Sequence, residues 1–377
     1  MQTIFHPLPP LASGTRRELQ SLHFGPAQAS RKVYIQASLH ADEIPGMLVC
    51  HYLRQALLEL EQAETLQSQI VLVPVANPIG LAQQIQGSAL GRFDLSTGIN
   101  FNRGFQHLTP ALLAEIGAQL NHDARHNQTL IRQTAQQILA QQTATDETSA
   151  LKLMLQSLAI DADLVLDLHC DNQAVLHLYC GTPLAEPSLR LAAHLKAQAL
   201  LTSKLPGDDP FDDSCSRHWW ELQEQLGARA SIPLACLSLT VELRGETDVS
   251  HDYAQQDASG ILNFLRETGH IACAPAELAQ LQGLASPCQA TPLEGVEPVT
   301  APHAGVVVFQ REIGATIRAG EVIADLLDPA SAAVTALRAS VDGIMFARIA
   351  RRYVSAGSRI AKIAGAKAYR SGKLLSA

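Results

Sequence analysis

Four short apolar runs constrain this 377-residue chain most, because three of them end on a side chain capable of chemistry. Residues 32–39 read KVYIQASL and stop at His40. Residues 162–168 read ADLVLDL and stop at His169, and residues 234–243 carry Glu242 near their end. The fourth, QIVLVPV over 69–75, leads into the punctuated loop Asn77-Pro78-Ile79-Gly80. Runs this short and this rich in Val, Leu and Ile are strands of a sheet covered on both faces. A helical period over 257–267 closes the series, and one over 47–60 separates runs within it. So does a stretch rich in Ala, Gln and Leu over 110–159, whose low-complexity part (136–145) is expected to be exposed. Strands alternating with helices, and polar residues at strand ends, predict an α/β sheet with its site along one edge.

The length exceeds one ordinary core and predicts more than one unit. Residues 1–30 read as an irregular lead-in and 1–270 as the catalytic domain. Residues 271–300, with several prolines and no strong period, read as a linker. Residues 301–377 contain short strands separated by glycines, with a weak duplication: Gly305, Ile317, Gly320 and Ile323 recur as Gly343, Val354, Gly357 and Ile360. Two strand–turn–strand halves predict a small all-β barrel or sandwich. A content of 47% hydrophobic and 17% charged residues fits a globular enzyme. The net charge of −8, with no Lys/Arg-rich run, argues against a nucleic-acid partner. Seven scattered cysteines without a CxxC pair read as reduced thiols, not as a disulfide framework or a Cys-based zinc site. With neither a signal pattern nor an apolar run of membrane-spanning length, the expected location is cytoplasmic, with no membrane partner.

A catalytic zinc takes three protein ligands from His and carboxylate and keeps an open position. His40-Ala41-Asp42-Glu43 supplies a His and a Glu three residues apart directly after a strand, and His169 can complete the set from a second strand. With 14 histidines, roughly one HxxE is expected by chance. A second one, His218-Trp219-Trp220-Glu221, lies in an amphipathic helix and reads as helix surface and packing. The strand–turn context and the second strand end favour His40, Glu43 and His169. Asp42 is a rival to Glu43, and Asp167 is either a strand-end cap or an orienting partner for His169. Glu242, acidic in an apolar strand, is the candidate general base; an ion pair with Arg244 is the competing reading. The loop containing Arg92, Asn102 and Arg103 offers guanidinium and amide groups of the kind that bind carboxylates and oxyanions, and alone would be a solvated turn.

HADEIPG, GRFDLSTGINFNRGF, DLHCD and TVELRG, in this order, resemble the succinylglutamate desuccinylase/aspartoacylase family of the zinc carboxypeptidase-like superfamily. The resemblance runs over about residues 30–270. It implies a mixed sheet flanked by helices, zinc held by His40, Glu43 and His169, and Glu242 as general acid/base. It further implies that Arg92 polarises the scissile carbonyl and that Asn102 and Arg103 grip a substrate carboxylate. The implied reaction is hydrolysis of an N-acyl amino acid. Two departures fall at the substrate pocket: Leu243-Arg244-Gly245 after the glutamate, where aspartoacylase-type members have Val-Gly, and the loop extension Ser96-Thr97-Gly98. Arg244 is therefore expected among the substrate-binding residues.

A metallocarboxypeptidase would use the same residues on peptides and stands as the alternative. The β-rich tail resembles lipoyl/biotinyl carrier domains, whose acceptor is a lysine on a hairpin tip. No lysine occurs between Arg311 and Arg359, and PASAAVTA (329–336) occupies the expected tip. The tail is thus expected to cap the pocket, or to mediate contacts between copies of the chain.

Overall fold

A computed structural model describes residues 1–205, 207–370 and 374. Its centre is a nine-stranded mixed sheet built from β1 (Gln2–Pro7), β2 (Glu18–Phe24), β3 (Lys32–Ala37), β4 (Gln69–Val73), β5 (Leu164–Asp171), β6 (His177–Gly181), β7 (Ala199–Ser203), β8 (Leu237–Gly245) and β9 (Ala290–Pro292). The spatial order is β1-β2-β4-β3-β5-β8-β6-β7-β9. The four strands β4, β3, β5 and β8 run parallel, and β8 and β6 pair antiparallel.

The apolar runs conceal a period of two, which decides where the site lies. In β5, Leu164, Leu166 and Leu168 enter one apolar layer, together with Leu239, Val241 and Leu243 of β8. The helices Pro45–Gln62 and His251–Glu267 close that layer with Leu53, Leu57, Ile261 and Leu265. The alternate positions of the same strands, Asp167, His169, Thr240 and Glu242, point to the opposite face, where they pair across the sheet as Asp167–Thr240 and His169–Glu242. There the helices of 109–159 and the helix Phe211–Leu226 build a second apolar layer that stops short of the strand ends.

Three stretches differ from the sequence reading. Residues 1–30 form the edge hairpin β1–β2, with β2 paired to β4; Pro7 closes β1, the prolines at 9 and 10 fall in the turn, and Leu19, Ser21, Leu22 and Phe24 of β2 are buried. The supposed linker holds the helix Pro275–Gln282, with proline at its first turn, and β9, which extends the sheet beside β7. In the low-complexity stretch Ile138 and Leu139 are buried in the helix Ala124–Ala140, which leaves residues 140–143 exposed.

The C-terminal part consists of two further sheets. One orders Val296–Thr300, Arg359–Gly365, Gly343–Arg348 and Thr316–Ile317; the other orders Val334–Arg338, Val322–Leu327, Gly305–Phe309 and Tyr353–Val354. The duplication has a structural counterpart. Each half lends its short central strand to the other: Tyr353–Val354 pairs with Gly305–Phe309, and Thr316–Ile317 with Gly343–Arg348. Val307, Ile323, Met345 and Ile363 fill the core between the sheets. This unit docks beside the site strand through a short strand, Gln173–Ala174, paired with Gly343–Arg348, and through an ion pair from Lys362 to Asp171. No helix is long and apolar enough to cross a membrane among the described residues.

Candidate active site

β3 ends in a tight turn that starts at Ser38, whose φ of 67° is left-handed, and aims His40 back across the sheet edge. The Glu43 amide returns to the His40 carbonyl at 3.1 Å, which brings the two side chains together before Pro45 starts the next helix. Glu43 then lies between two imidazoles. Its Oε1 is 2.9 Å from Nδ1 of His40, and its Oε2 is 2.7 Å from Nδ1 of His169 and accepts from the Cys170 amide at 3.0 Å. One ligand atom from each of His40, Glu43 and His169 falls within 4.8 Å of the others.

The far nitrogens of both rings are held as well. His40 Nε2 meets Asn100 Oδ1 at 2.9 Å, and His169 Nε2 meets Asp167 Oδ2 at 2.9 Å. Asp167 is itself fixed by Gln36 at 2.9 Å. Such outer partners set the tautomer and orientation of a metal-binding imidazole, leaving both Nδ1 atoms to face one point. Asp167 therefore orients His169. Glu43, not Asp42, joins the two histidines, although Asp42 lines the same cavity. The role of Asn100 was hidden in the sequence, because an amide in a loop gives no sign of which ring it will meet.

The electrostatics fit a site for a cation. Burial would raise the Glu43 carboxyl, but His40 and His169 hold it well below the usual carboxylate range. Burial opposes the charge on His169, while Asp167 and Glu43 hold its imidazole well above the usual range. One strand away, burial and the neighbouring Glu43 carboxylate push Glu242 up to about 8, and its Oε2 is buried without a partner. Two imidazoles, a carboxylate and an orphaned acid oxygen are chemically suited to a divalent ion and the water it would carry.

These groups open into a cavity of about 370 Å³ that is also lined by Arg92, Asn102, Arg103, Asp212 and Tyr179, and by Phe346, Arg359 and Lys362 of the C-terminal unit. That unit forms part of the wall. Arg92 is placed by Gly91, where a Cβ would lie 2.3 Å from the Asp42 amide nitrogen; its Nη1 is 3.2 Å from His40 Nδ1 and 3.4 Å from Glu43 Oε1. The extension at Ser96–Gly98 folds around Asp94, which accepts from Ser96, Thr97 and Thr148. Lys152 anchors the same loop, donating to the carbonyls of Asn100 and Arg103. Asn102 Oδ1 accepts from the Phe211 amide at 2.8 Å.

Arg244 is the expected site residue that is not brought to the cavity. The register of β8 against β5 slips between Glu242 and Gly245, and Arg244 takes a left-handed φ of 68°. This bulge turns the guanidinium onto Asp257, with two bonds of 2.8 Å, and over the Tyr253 ring at 4.3 Å. Glu242 therefore does not pair with Arg244. Because Asp257 is 2% exposed, Arg244→Ala should destabilise the protein by about 3 kcal/mol, measured by denaturant unfolding. A loss below about 0.5 kcal/mol would contradict the structural role.

The decoy pair is also separated. His218 is buried with neither ring nitrogen hydrogen-bonded, while Glu221 is bound by His107, Thr109 and Arg217. His218 is therefore packed inside, and only Glu221 belongs to the partly exposed face. His218→Ala should leave the metal content per chain unchanged, as read by elemental analysis; loss of metal would restore this pair as a candidate.

Fold and site together define an α/β protein with a buried His–Glu–His group of potential metal donors at the carboxyl ends of its strands. The model of the succinylglutamate desuccinylase/aspartoacylase catalytic domain matches residues 29–268, and the chain belongs to that family. Membership implies a hydrolase of the deacylase kind. A solved structure of a family protein from Shewanella amazonensis is 28% identical, covers 97% of this chain and 98% of its own, and superposes with a TM-score of 0.82. One from Shewanella frigidimarina is 25% identical, covers 97% of each chain and gives 0.78. The product-bound ectoine utilization protein EutE (DoeB) of Ruegeria pomeroyi is 16% identical over 97% of this chain and 94% of its own, with a TM-score of 0.65, and shares the fold. No curated protein sequence matches at a significant level.

Proposed function

We propose that the protein is a zinc-dependent amidohydrolase that cleaves an N-acyl amino acid to a carboxylic acid and a free amino acid. One observation carries this reading. Two Nδ1 atoms and the Glu43 carboxylate converge at a cavity in which a buried, unpartnered oxygen of Glu242 stands on the adjacent strand. Two histidines and one glutamate are a donor set of catalytic zinc sites. Zinc bound there supplies Lewis acidity for the carbonyl and acidifies water. Glu242 takes the proton from the attacking water and delivers it to the departing nitrogen, so that a C–O bond forms as the C–N bond breaks. Arg92 stabilises the oxyanion, and Asn102 and Arg103 hold the substrate carboxylate.

In this reading residues 1–270, with the helix and strand of 275–292 added to the sheet, are the catalytic unit, of the zinc carboxypeptidase-like superfamily. The barrel-sandwich unit proposed for 301–377 begins with the strand Val296–Thr300. The enzyme works in the cytoplasm on a small soluble substrate. The test is turnover by the zinc-loaded protein on a panel of N-acetyl and N-succinyl amino acids beside dipeptides. Hydrolysis of N-acyl amino acids, abolished by chelation and restored by zinc, is expected. Cleavage of dipeptides alone would replace the reading with a metallocarboxypeptidase.

A further inference from the structure

We propose that the amino-acid part of the substrate carries a second, positively charged group, which Asp212 and Asp213 receive. The proposal rests on the N-acyl amino acid reading for the bond cleaved. The subsite itself is argued from the cavity.

Asp212 and Asp213 open the helix Phe211–Leu226 and both line the cavity, yet they are only 7% and 5% exposed. Two adjacent carboxylates in so little water need a counter-charge. The protein supplies part of it, and no side-chain cation within hydrogen-bond distance of either acid among the described residues. Asp213 accepts no side-chain hydrogen bond among the described residues. Arg217 approaches it only to 3.8 Å, while directing its donors to Glu221 at 2.6 Å and Asp209 at 2.9 Å. Asp212 accepts from the Asp213 amide and the Thr240 hydroxyl and feels the His169 imidazole, while Asp167 adds negative charge from the sheet below. Arg103 lies near enough to feel Asp212, and its Nη1 donates to the Asn102 carbonyl at 2.5 Å. Burial and the neighbouring acids push Asp212 up to about 6 and Asp213 well above the usual range, as expected where a cation is missing.

The placement selects a part of the substrate. The Phe211 amide holds Asn102, so the acid pair begins one residue from the loop assigned to the substrate carboxylate. Thr240, beside Asp212, is two residues before Glu242 on the same face of β8. A substrate held at its carboxylate by Asn102 and Arg103, with its amide at Glu242, would extend its side chain toward Asp212 and Asp213. The pair does not make a second metal centre, since among the described residues only His40, Glu43 and His169 group three donors. The fitting ligand is therefore an organic cation: an ammonium or guanidinium on the side chain of the amino acid.

The experiment compares kcat/KM of the zinc-loaded enzyme for Nα-acetyl-ornithine, -lysine and -arginine with Nα-acetyl-norleucine and -glutamate. A preference for the cationic set on the order of 10- to 100-fold over norleucine is expected from a charge-assisted pairing out of water. Asp213→Asn and Asp212→Asn, tested separately, should each reduce that ratio at least about tenfold. Calorimetric binding of free ornithine, norleucine and glutamate to the same proteins gives a readout that needs no turnover, and ornithine should bind tightest. Equal or better use of norleucine or glutamate, or an unchanged ratio in both variants, overturns the proposal while leaving the hydrolase reading intact. If no acyl amino acid is cleaved but ornithine still binds preferentially, the hydrolase reading fails and the subsite stands.

Discussion

Glu242→Gln should bind metal as the parent protein does and lose turnover by about 10³- to 10⁴-fold, because it removes the group that shuttles the proton while keeping its shape. The side chain is buried on β8 opposite His169 and is not among the three grouped donors, so metal content should stay at one per chain. A second signature separates loss of the base from general damage. In the metal-free protein burial and Glu43 push this carboxyl from 4.5 to about 8. A raised pKa gives stability that is fully present below the unfolded value and is lost as pH rises through the folded one. The metal-free parent should therefore weaken between pH 4.5 and about 8 in a way the Gln variant does not. Near-normal activity in Glu242→Gln would remove Glu242 from the reaction, whatever the stability profile showed.

The second large effect is expected at His169. His169→Ala deletes one of three converging donors and leaves Asp167 and Glu43 without their shared partner, so metal should be lost and hydrolysis should fall to background. Elemental analysis and activity should fall together. In the parent chain, Asp167 and Glu43 hold the His169 imidazole in its protonated form above the usual range. A metal ligand must give that proton up, so affinity should fall as pH is lowered, and binding should release protons measurable by calorimetry in two buffers. Metal retained by His169→Ala at parent stoichiometry would contradict the assignment of the site.

Much of this site could be read from the chain because its parts stand at strand ends. His40, His169 and Glu242 are polar residues closing apolar runs, and adjacent parallel strands brought those ends together. The duplication in the tail was likewise legible from its recurring glycines and β-branched residues. What escaped was set by long-range partners. Arg244 looked like a pocket residue until the bulge gave it Asp257, thirteen residues further on. Asp212 and Asp213 resemble the acidic residues that commonly open exposed helices, and only packing against the sheet buries them. The strands of 1–30 lacked a continuous apolar run because β1 fully buries none of its residues and exposed Glu18 and Gln20 alternate with the first buried positions of β2.

The ion pair between Lys362 and Asp171 joins two portions of the chain that meet around one cavity. Reaction chemistry and substrate choice are thereby given partly separate genetic addresses. The three converging metal donors belong to the large sheet and its strand ends, while Arg359 and Lys362 belong to a unit with its own hydrophobic core and Phe346 packs where that unit meets Val175, Ala199 and Leu201. Mutations at Phe346 and Arg359 can reshape what enters while the metal donors stay in place, whereas Lys362 also acts on Asp171 and Glu242. Drift in substrate range among relatives should therefore be recorded in the tail as well as around Asp212 and Asp213, even where the strand-end motifs stay fixed.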